Sequence, residues 1–243
     1  MTKINLLENV QKMVNIGYAH QDAMARVCQD VILKAISEST LSRNVTIKGG
    51  VVMRSKTGNI RRATQDIDID FIKYSLNDIA IDAFIRKINS IEGLEIRRIG
   101  KITELKQQDY KGKRVFVEIM DSYGQTIESK IDLGVHNRFN ISQEEYCFDI
   151  AFDDEGASLL INTKEQMIAE KLRSLLKFGR FSTRYKDIYD IFYQRGSKNT
   201  PASKRSVGGG MNCGKATLFF IPKFAILFVE RYNISIKANF SRR

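Results

Sequence analysis

The sequence predicts an α/β protein in which helices flank a mixed β-sheet. Three observations carry this prediction: an alternating aspartate run, helical spacing of apolar residues before it, and helix-capping patterns after it. The run is Asp66–Phe71, in which three aspartates alternate with Ile67, Ile69 and Phe71. A period of two is typical of a strand, so the apolar residues face a core and the carboxylates share the other face.

Two helices and a short strand are predicted before this run. Apolar residues recur every three or four positions over residues 3–14 and about 18–38, which predicts helices that pack on the sheet. The strand follows at residues 44–48. Gly49 and Gly50 then lead into another helix.

Capping patterns and turn residues predict the elements that follow the run. Residues 75–78 resemble a capping box that opens a helix to about Asn89, and residues 163–166 open one to about Phe178. A further helix is predicted over residues 184–194. Strands are predicted at 94–107, 114–122, 126–135 and 146–152.

Composition excludes several classes of protein. No apolar stretch reaches the 18 residues of a membrane span, and no early stretch has the features of a signal peptide, so we expect cytoplasmic residence. The three cysteines lie far apart, which predicts neither a disulfide framework nor a zinc ribbon. Of the net charge of +11, residues 195–243 carry +9. Residues 1–194 are therefore nearly neutral, and their net charge gives no argument for nucleic-acid binding.

The aspartate run is the first candidate for chemistry. Residues i and i+2 on a strand stand about 6.6 Å apart, and carboxylates that close repel each other unless a cation lies among them. Asp66 and Asp68 are therefore candidate ligands of a hard divalent ion such as Mg²⁺. Asp132, which points the same way as Lys130 in its strand, is the candidate third ligand. The alternative is an edge strand with a solvated acidic face.

A glycine pair upstream is the second candidate. Gly49 and Gly50 stand between a strand and a helix, where backbone N–H groups can approach a phosphate closely and the helix N-terminus favours negative charge. Alone the pair is weak evidence, because turns use it often. Sixteen residues later comes Asp66 and its D-x-D pattern, and the combination predicts a site for phosphate and metal together.

These motifs and three later ones, taken in order, resemble a known family. The stretches are I-K-G-G-V-V-M-R at 47–54, R-R-A-T-Q-D-I-D-I-D-F at 61–71, K-I-D at 130–132, A-E-K-L at 169–172 and R-Y-K-D-I-Y-D-I-F at 184–192. Over roughly residues 15–194 the chain is similar to the AbiEii-type nucleotidyltransferase toxins. This type IV toxin–antitoxin family belongs to the DNA polymerase β-like nucleotidyltransferase superfamily.

The resemblance implies roles for further residues. It places Arg54 at nucleotide phosphates or RNA, together with Arg61 and Arg62, although surface arginines are common. It makes Lys171 a phosphate-binding lysine, where the alternative is a lysine that snorkels beside an apolar stripe. It places an essential aspartate in the last motif. Asp187 is the better match and Asp190 the reserve, as a general base or as an orienting partner of the lysine.

The resemblance also implies a domain organisation and a function. Residues 1–152 would form the nucleotidyltransferase catalytic domain, and residues 153–194 a helical segment that completes the active site. Residues 195–243 would be a basic tail in place of the helical C-terminal half that is usual in the family. The implied activity is Mg²⁺-dependent (Mn²⁺ being the alternative) transfer of a nucleotide from an NTP to RNA. The expected acceptor is the 3′ end of tRNA, so that translation stops.

A cognate antitoxin protein is expected in such a toxin–antitoxin or phage-defence system. Two other functions stay open. The acceptor could be a protein or a small molecule such as an aminoglycoside, or the chain could bind NTP and nucleic acid without catalysis. A metal-dependent nuclease fits less well, because it would not need the glycine pair.

Overall fold

The structure is a computed structural model that describes residues 4–72, 74–105, 112–135, 142–178 and 185–196. Within these ranges a seven-stranded mixed sheet and six α-helices form, which confirms the predicted α/β class. The chain divides into two compact units, Met1–Gln166 and Met167–Arg243. The predicted tail lies outside the described residues from residue 197 onward.

Four α-helices and two strands come first along the chain, five strands follow in succession, and two α-helices end the described part. The helices are α1 (Leu6–Asn15), α2 (His20–Glu38), α3 (Gly49–Thr57), α4 (Asp78–Lys87), α5 (Lys164–Phe178) and α6 (Tyr185–Gly196). The strands are β1 (Val45–Lys48), β2 (Asp66–Phe71), β3 (Leu94–Leu105), β4 (Gly112–Asp121), β5 (Thr126–Val135), β6 (Gln143–Ile150) and β7 (Asp153–Asn162). Among the helices of the described ranges, none combines the length and apolar content that crossing a membrane requires.

The sheet order is β3-β4-β5-β2-β1-β7-β6. Strand β2 runs parallel to β5 and antiparallel to β1, and β1 runs parallel to β7. The other neighbouring pairs are antiparallel. The aspartate strand therefore lies at the centre, between the strand that leads into α3 and the strand that carries Asp132.

The core lies on one face of this central strand. Ile67, Ile69 and Phe71 are fully buried, and the Phe71 ring meets Phe84 of α4 edge-on with the ring centroids 5.0 Å apart. Helix α2 packs against β2, β5, β6 and β7. Because side chains alternate along a strand, the aspartates of β2 lie on the opposite face.

The helix caps confirm one predicted pattern and correct the other. Thr163 Oγ1 accepts a hydrogen bond from the Gln166 amide at 3.4 Å, as its capping pattern predicts. At α4, however, the cap is Asn77, whose Oδ1 accepts from the Ala80 amide at 2.7 Å. Ser75 instead accepts from the Asn77 amide at 3.2 Å, so its hydroxyl supports the turn that precedes the helix.

Strand β7 is an element that the sequence does not predict. It pairs antiparallel with β6 and parallel with β1, where Ile47 lies opposite Ile161. Ala157, Leu159 and Ile161 alternate as buried residues. The segment opens with D-D-E-G, which is typical of a loop and hides the alternation that follows. The first compact unit contains both strands of this hairpin, so it extends past residue 152.

Candidate active site

The sheet register brings the three candidate carboxylates onto one face. Asp68 of β2 lies directly opposite Asp132 of the parallel strand β5. Asp66 is two residues before Asp68, so it points to the same face of β2. The neighbouring-strand arrangement that the sequence predicts is therefore present, while the metal-binding role of these residues stays a prediction.

The strand-to-helix junction lies against this cluster. Gly49 opens α3 with φ +66°, and a Cβ atom built on it would lie 1.8 Å from Asp68 Oδ2. A Cβ on Gly50 would lie 2.7 Å from the Thr64 side chain. Neither position has room for a side chain, because the Asp68 carboxylate and Thr64 approach the first turn of the helix closely. Lys48, the N-cap residue, makes no side-chain capping hydrogen bond to the helix.

The third aspartate of the run has a different partner. Lys48 Nζ donates to Asp70 Oδ2 at 2.9 Å, and both side chains are largely buried. The ammonium group thus neutralises Asp70. This pairing separates Asp70 from the candidate metal ligands Asp66 and Asp68, although all three lie on one strand face.

The surroundings of the Asp68 carboxyl group favour its protonated form. Burial raises its pKa from the ordinary 3.8 to about 7, and the neighbouring charges of Asp66 and Asp132 add to the rise, while Lys48 opposes it in part. A carboxylate in this position gains from a nearby cation. Its oxygens, with those of Asp66, are the hard donors that Mg²⁺ binds. This donor pair therefore fits a divalent ion.

Asp132 is already paired with an arginine that the sequence analysis did not identify. Arg114 of β4 lies opposite Asp132, and its Nε and Nη2 donate to Asp132 Oδ1 and Oδ2, both at 2.7 Å. These bonds raise the pKa of Arg114. In the part of the chain that the structure describes, no three His, Cys, Asp or Glu side chains are arranged to hold a metal ion. Arg114 thus neutralises Asp132, and the role of Asp132 as the third metal ligand stays a prediction.

The second unit brings together the other predicted residues. Lys171 of α5 donates through Nζ to Asp187 Oδ1 at 2.9 Å and to Asp190 Oδ2 at 2.7 Å, both on α6. Asp190 is fully buried, whereas the Asp187 side chain is 15% exposed. The lysine therefore joins the two helices through both candidate aspartates. Its phosphate contact and their catalytic role stay predictions.

Comparison with known proteins agrees with this arrangement of motifs. A family model described as the nucleotidyl transferase AbiEii toxin of the type IV toxin–antitoxin system matches residues 31–201, which is more than half of the chain. The chain belongs to this family. No curated protein matches it in sequence. The match identifies the chain as a nucleotidyltransferase toxin of a toxin–antitoxin system and implies an antitoxin partner.

One predicted site residue of this AbiEii-family toxin is buried and hydrogen-bonded inside the protein. Arg54 is 3% exposed, donates to Gln29 Oε1 at 2.6 Å, and lies 3.7 Å from Asp30. Burial lowers its pKa to about 10, and nearby Arg26 adds to the fall. Arg54 is thus part of a buried network beside α2, in contrast to the predicted contact with nucleotide phosphates. The sequence alone does not show whether a long basic side chain in an amphipathic helix points toward the core or toward solvent.

The same network supports the aspartate strand of the AbiEii-family fold. Gln29 Nε2 donates to the Thr64 carbonyl at 2.8 Å and, more weakly, to the Asp66 carbonyl at 3.4 Å. Thr64 Oγ1 in turn donates to Asp66 Oδ1 at 3.0 Å. Gln29 and Thr64 therefore position the start of β2. The role of Gln29 depends on contacts with residues distant in the sequence, so no local sequence pattern could have identified it.

Proposed function

We propose that this AbiEii-family protein is a Mg²⁺-dependent nucleotidyltransferase that moves a nucleotide from an NTP to an RNA acceptor. The observation that carries the proposal is the alignment of Asp68 and Asp132 on adjacent strands, beside the close approach of Asp68 to Gly49. Acidic side chains and an uncapped helix start are the two elements that binding a metal–triphosphate complex requires. Mn²⁺ is the alternative ion.

Each group of residues has a part in this reaction. The amides at Gly49 and Gly50 receive triphosphate oxygens, which the absence of side chains there permits. Asp66 and Asp68 would hold the divalent ion, and Asp132 on the neighbouring strand would be a third carboxylate ligand. When bound, the ion neutralises phosphate charge and polarises the phosphoryl oxygens. The acceptor hydroxyl attacks the α-phosphorus, and pyrophosphate leaves.

The family motifs assign a cation and a base to this reaction. Lys171 acts as a point charge toward the phosphates, and Asp187 accepts the proton of the attacking hydroxyl. These assignments follow the family motifs and the Lys171–Asp187 hydrogen bond. They leave Asp190, the buried partner, as the residue that fixes the lysine in place.

The 3′ end of tRNA is the acceptor that we propose. A nucleotide added there would prevent aminoacylation or use of the tRNA, so that translation stops in the cytoplasm. The antitoxin of the type IV system would counter this toxicity. A role in phage defence follows if infection changes the ratio of toxin to antitoxin.

The test is a transfer assay with the full chain, total tRNA, Mg²⁺ and each of the four NTPs labelled at the α-phosphate. We expect label in tRNA with the parent protein and its loss with Asp68→Ala. Asp154→Asn, a change at an exposed position of β7, is the matched control and should transfer at the parent rate. Absence of label with every NTP, or an Asp68→Ala variant that equals the parent, would contradict the proposal.

The acceptor is tested in the same assay. Label in a protein band or in an aminoglycoside, with none in tRNA, would keep the transferase and replace the acceptor. NTP binding without transfer to any acceptor would instead indicate a non-catalytic binder.

A further inference from the structure

An exposed phenylalanine lies on the same face of the sheet as the candidate metal carboxylates. In β4, Val115 and Val117 are fully buried, whereas Phe116 between them is 41% exposed. Because side chains alternate along a strand, Phe116 shares its face with Arg114, whose guanidinium bonds to Asp132. Phe116 is therefore on the carboxylate side of the sheet and turned away from the core.

The strand register places Phe116 in a row with one of the carboxylates. Lys130 of β5 lies opposite Asp66 of β2 on one side and opposite Phe116 of β4 on the other. Neighbouring strands stand about 4.8 Å apart, so the backbones of Asp66 and Phe116 are about 10 Å apart with Lys130 between them. This row leads from the candidate metal site to an exposed aromatic ring.

Lys130 is the cation of the row. Among the described residues it has no ion pair and no side-chain hydrogen bond. The arginines on either side are paired instead. Arg97 bonds to Glu118, and Arg114 bonds to Asp132. An ammonium group beside an exposed ring is a combination that binds single-stranded nucleic acid, because the cation contacts a phosphate and the ring stacks on a base.

The chemistry of nucleotide transfer distinguishes the two sides of the aspartate strand. Strand β2 lies between β1, which leads into Gly49, and β5, which carries Lys130. With the triphosphate at the Gly49 and Gly50 amides, the leaving pyrophosphate is on the β1 side. Attacking and leaving oxygens stand on opposite sides of the phosphorus in an in-line displacement. The acceptor hydroxyl therefore approaches from the β5 side, over the row that ends at Phe116.

We propose that this row binds the single-stranded end of the acceptor RNA, with Lys130 at a phosphate and Phe116 stacked on a base. The inference rests on the proposed function, since it names the place of the acceptor at the same site. Every base has a face that can stack on an aromatic ring, so this surface holds an RNA end without reading its sequence.

The first test locates RNA on the full chain without any turnover. The probe is a short single-stranded RNA with 4-thiouridine near a 3′-deoxy end, which can bind but offers no 3′ hydroxyl for transfer. After irradiation and trypsin digestion, we expect the cross-link in the peptide of residues 115–130, which contains Phe116 and ends at Lys130. Cross-links confined to residues 197–243 would overturn the inference.

The second test separates the acceptor from the NTP in steady-state transfer. Phe116→Ala should raise KM for tRNA by about tenfold, the size of one lost base stack, and leave KM for the NTP unchanged. Phe116→Tyr keeps the ring and should restore the parent value. Tyr123→Ala is the matched control, because it removes a 57% exposed ring from the turn between β4 and β5. It should keep both KM values and the yield of the cross-link.

The phosphate contact of Lys130 is tested through salt. For the labelled RNA, Lys130→Gln should reduce the slope of log Kd against log salt by about 0.7–1, because one fewer phosphate is neutralised. Lys87→Gln removes an exposed lysine of α4 and is the matched control, with no change at low salt beyond that of the parent. Equal slopes for Lys130→Gln and the parent would contradict the phosphate contact.

The outcomes distinguish the inference from the function on which it rests. A parent protein that labels tRNA, with a Phe116→Ala variant that keeps the parent KM, would overturn the inference and leave the transferase standing. A parent that transfers nothing but cross-links through residues 115–130 would do the reverse. Label found only in a protein or a small molecule would overturn the RNA surface. Circular dichroism establishes that each variant is folded before the comparison.

Discussion

The Asp68 carboxylate lies so close to Gly49 that a Cβ atom on the glycine would be 1.8 Å from Asp68 Oδ2 and 2.8 Å from its Cγ. The start of α3 and the central carboxylate of the site are thus fixed against each other. Gly49 is required for two separate reasons. A side chain there would collide with Asp68, and its φ of +66° is unfavourable for residues with a side chain.

Gly49→Ala is therefore expected to damage both the fold and the site. The left-handed backbone alone costs about 1–2 kcal/mol, and the added methyl group must also displace the Asp68 carboxylate. If Asp68 is a metal ligand as proposed, nucleotide transfer should fall by about 10- to 100-fold, the usual effect of disturbing the group that positions a ligand. Urea unfolding and the tRNA-labelling assay measure the two effects.

Gly58→Ala is the matched control for this prediction. Gly58 has φ +61° at the C-cap of α3, but nothing lies within 4 Å of a Cβ built there. The variant should lose stability through the backbone term and keep its transfer rate. Equal transfer by the two variants would show that the contact between Gly49 and Asp68 has no part in activity.

The pKa of Asp68 predicts that the metal-free protein becomes less stable as the pH rises. Its pKa is 3.8 ordinarily and about 7 in the folded protein, with burial as the main cause. Below pH 4 both states are protonated. Between pH 4 and 7 the unfolded chain releases this proton while the folded chain retains it, so the free energy of unfolding falls with increasing pH.

Asp68→Asn should remove this dependence. In chelator at pH 8 we expect the variant to be more stable than the parent by about 2–4 kcal/mol, from the size of the shift. Added Mg²⁺ should stabilise the parent and not the variant. Urea unfolding at several pH values, with and without Mg²⁺, provides the measurement. Parallel curves for parent and variant would contradict the assignment.

Much of this site follows from the sequence because it depends on short-range periodicity. The alternation at Asp66–Phe71 predicts which side chains share a face, and the position of Asp132 beside Ile131 predicts that it points the same way as Lys130. The pairing of Asp132 with Arg114 could not be predicted, because it depends on the register between two strands. One residue of slip would place Arg114 on the other face.

Strand β7 and the burial of Arg54 could not be predicted from the sequence for related reasons. Strand β7 begins with acidic residues and Gly156, so its loop-like start conceals the buried positions that follow. Arg54 carries a side chain that suits phosphate contacts as well as a buried ion network, and tertiary packing decides between them. Burial of an arginine depends on what surrounds it, and here Gln29 and Asp30 come from another helix.

We expect Gln29 to make a large contribution to the free energy of unfolding, because its amide side chain is part of a buried network. Gln29→Ala removes the acceptor of the buried Arg54 guanidinium and the donor to the Thr64 carbonyl. Leaving such buried polar groups unpaired should cost about 2–3 kcal/mol. Amide hydrogen exchange should also rise at the start of β2, where Gln29 holds the backbone.

Gln11→Ala provides the comparison for this prediction. Gln11 lies on the exposed surface of α1 and bonds only to Asn15 among the described residues. Its loss should change the free energy of unfolding by less than about 0.5 kcal/mol. Equal effects of the two substitutions would mean that the buried network does not support the aspartate strand.

Lys171 bonds to two aspartates whose surroundings predict different roles. Asp190 is fully buried, so Asp190→Asn should lower the free energy of unfolding by about 2–4 kcal/mol through the loss of a buried charge partner. Asp187 is less buried than Asp190, so Asp187→Asn should cost less, about 1–2 kcal/mol. As the proposed base, however, Asp187 should be essential, and its variant should transfer nucleotide at least about 100-fold more slowly. Urea unfolding and single-turnover transfer to tRNA separate the two effects. A stable, inactive Asp190→Asn beside an active Asp187→Asn would assign the essential carboxylate to Asp190 instead.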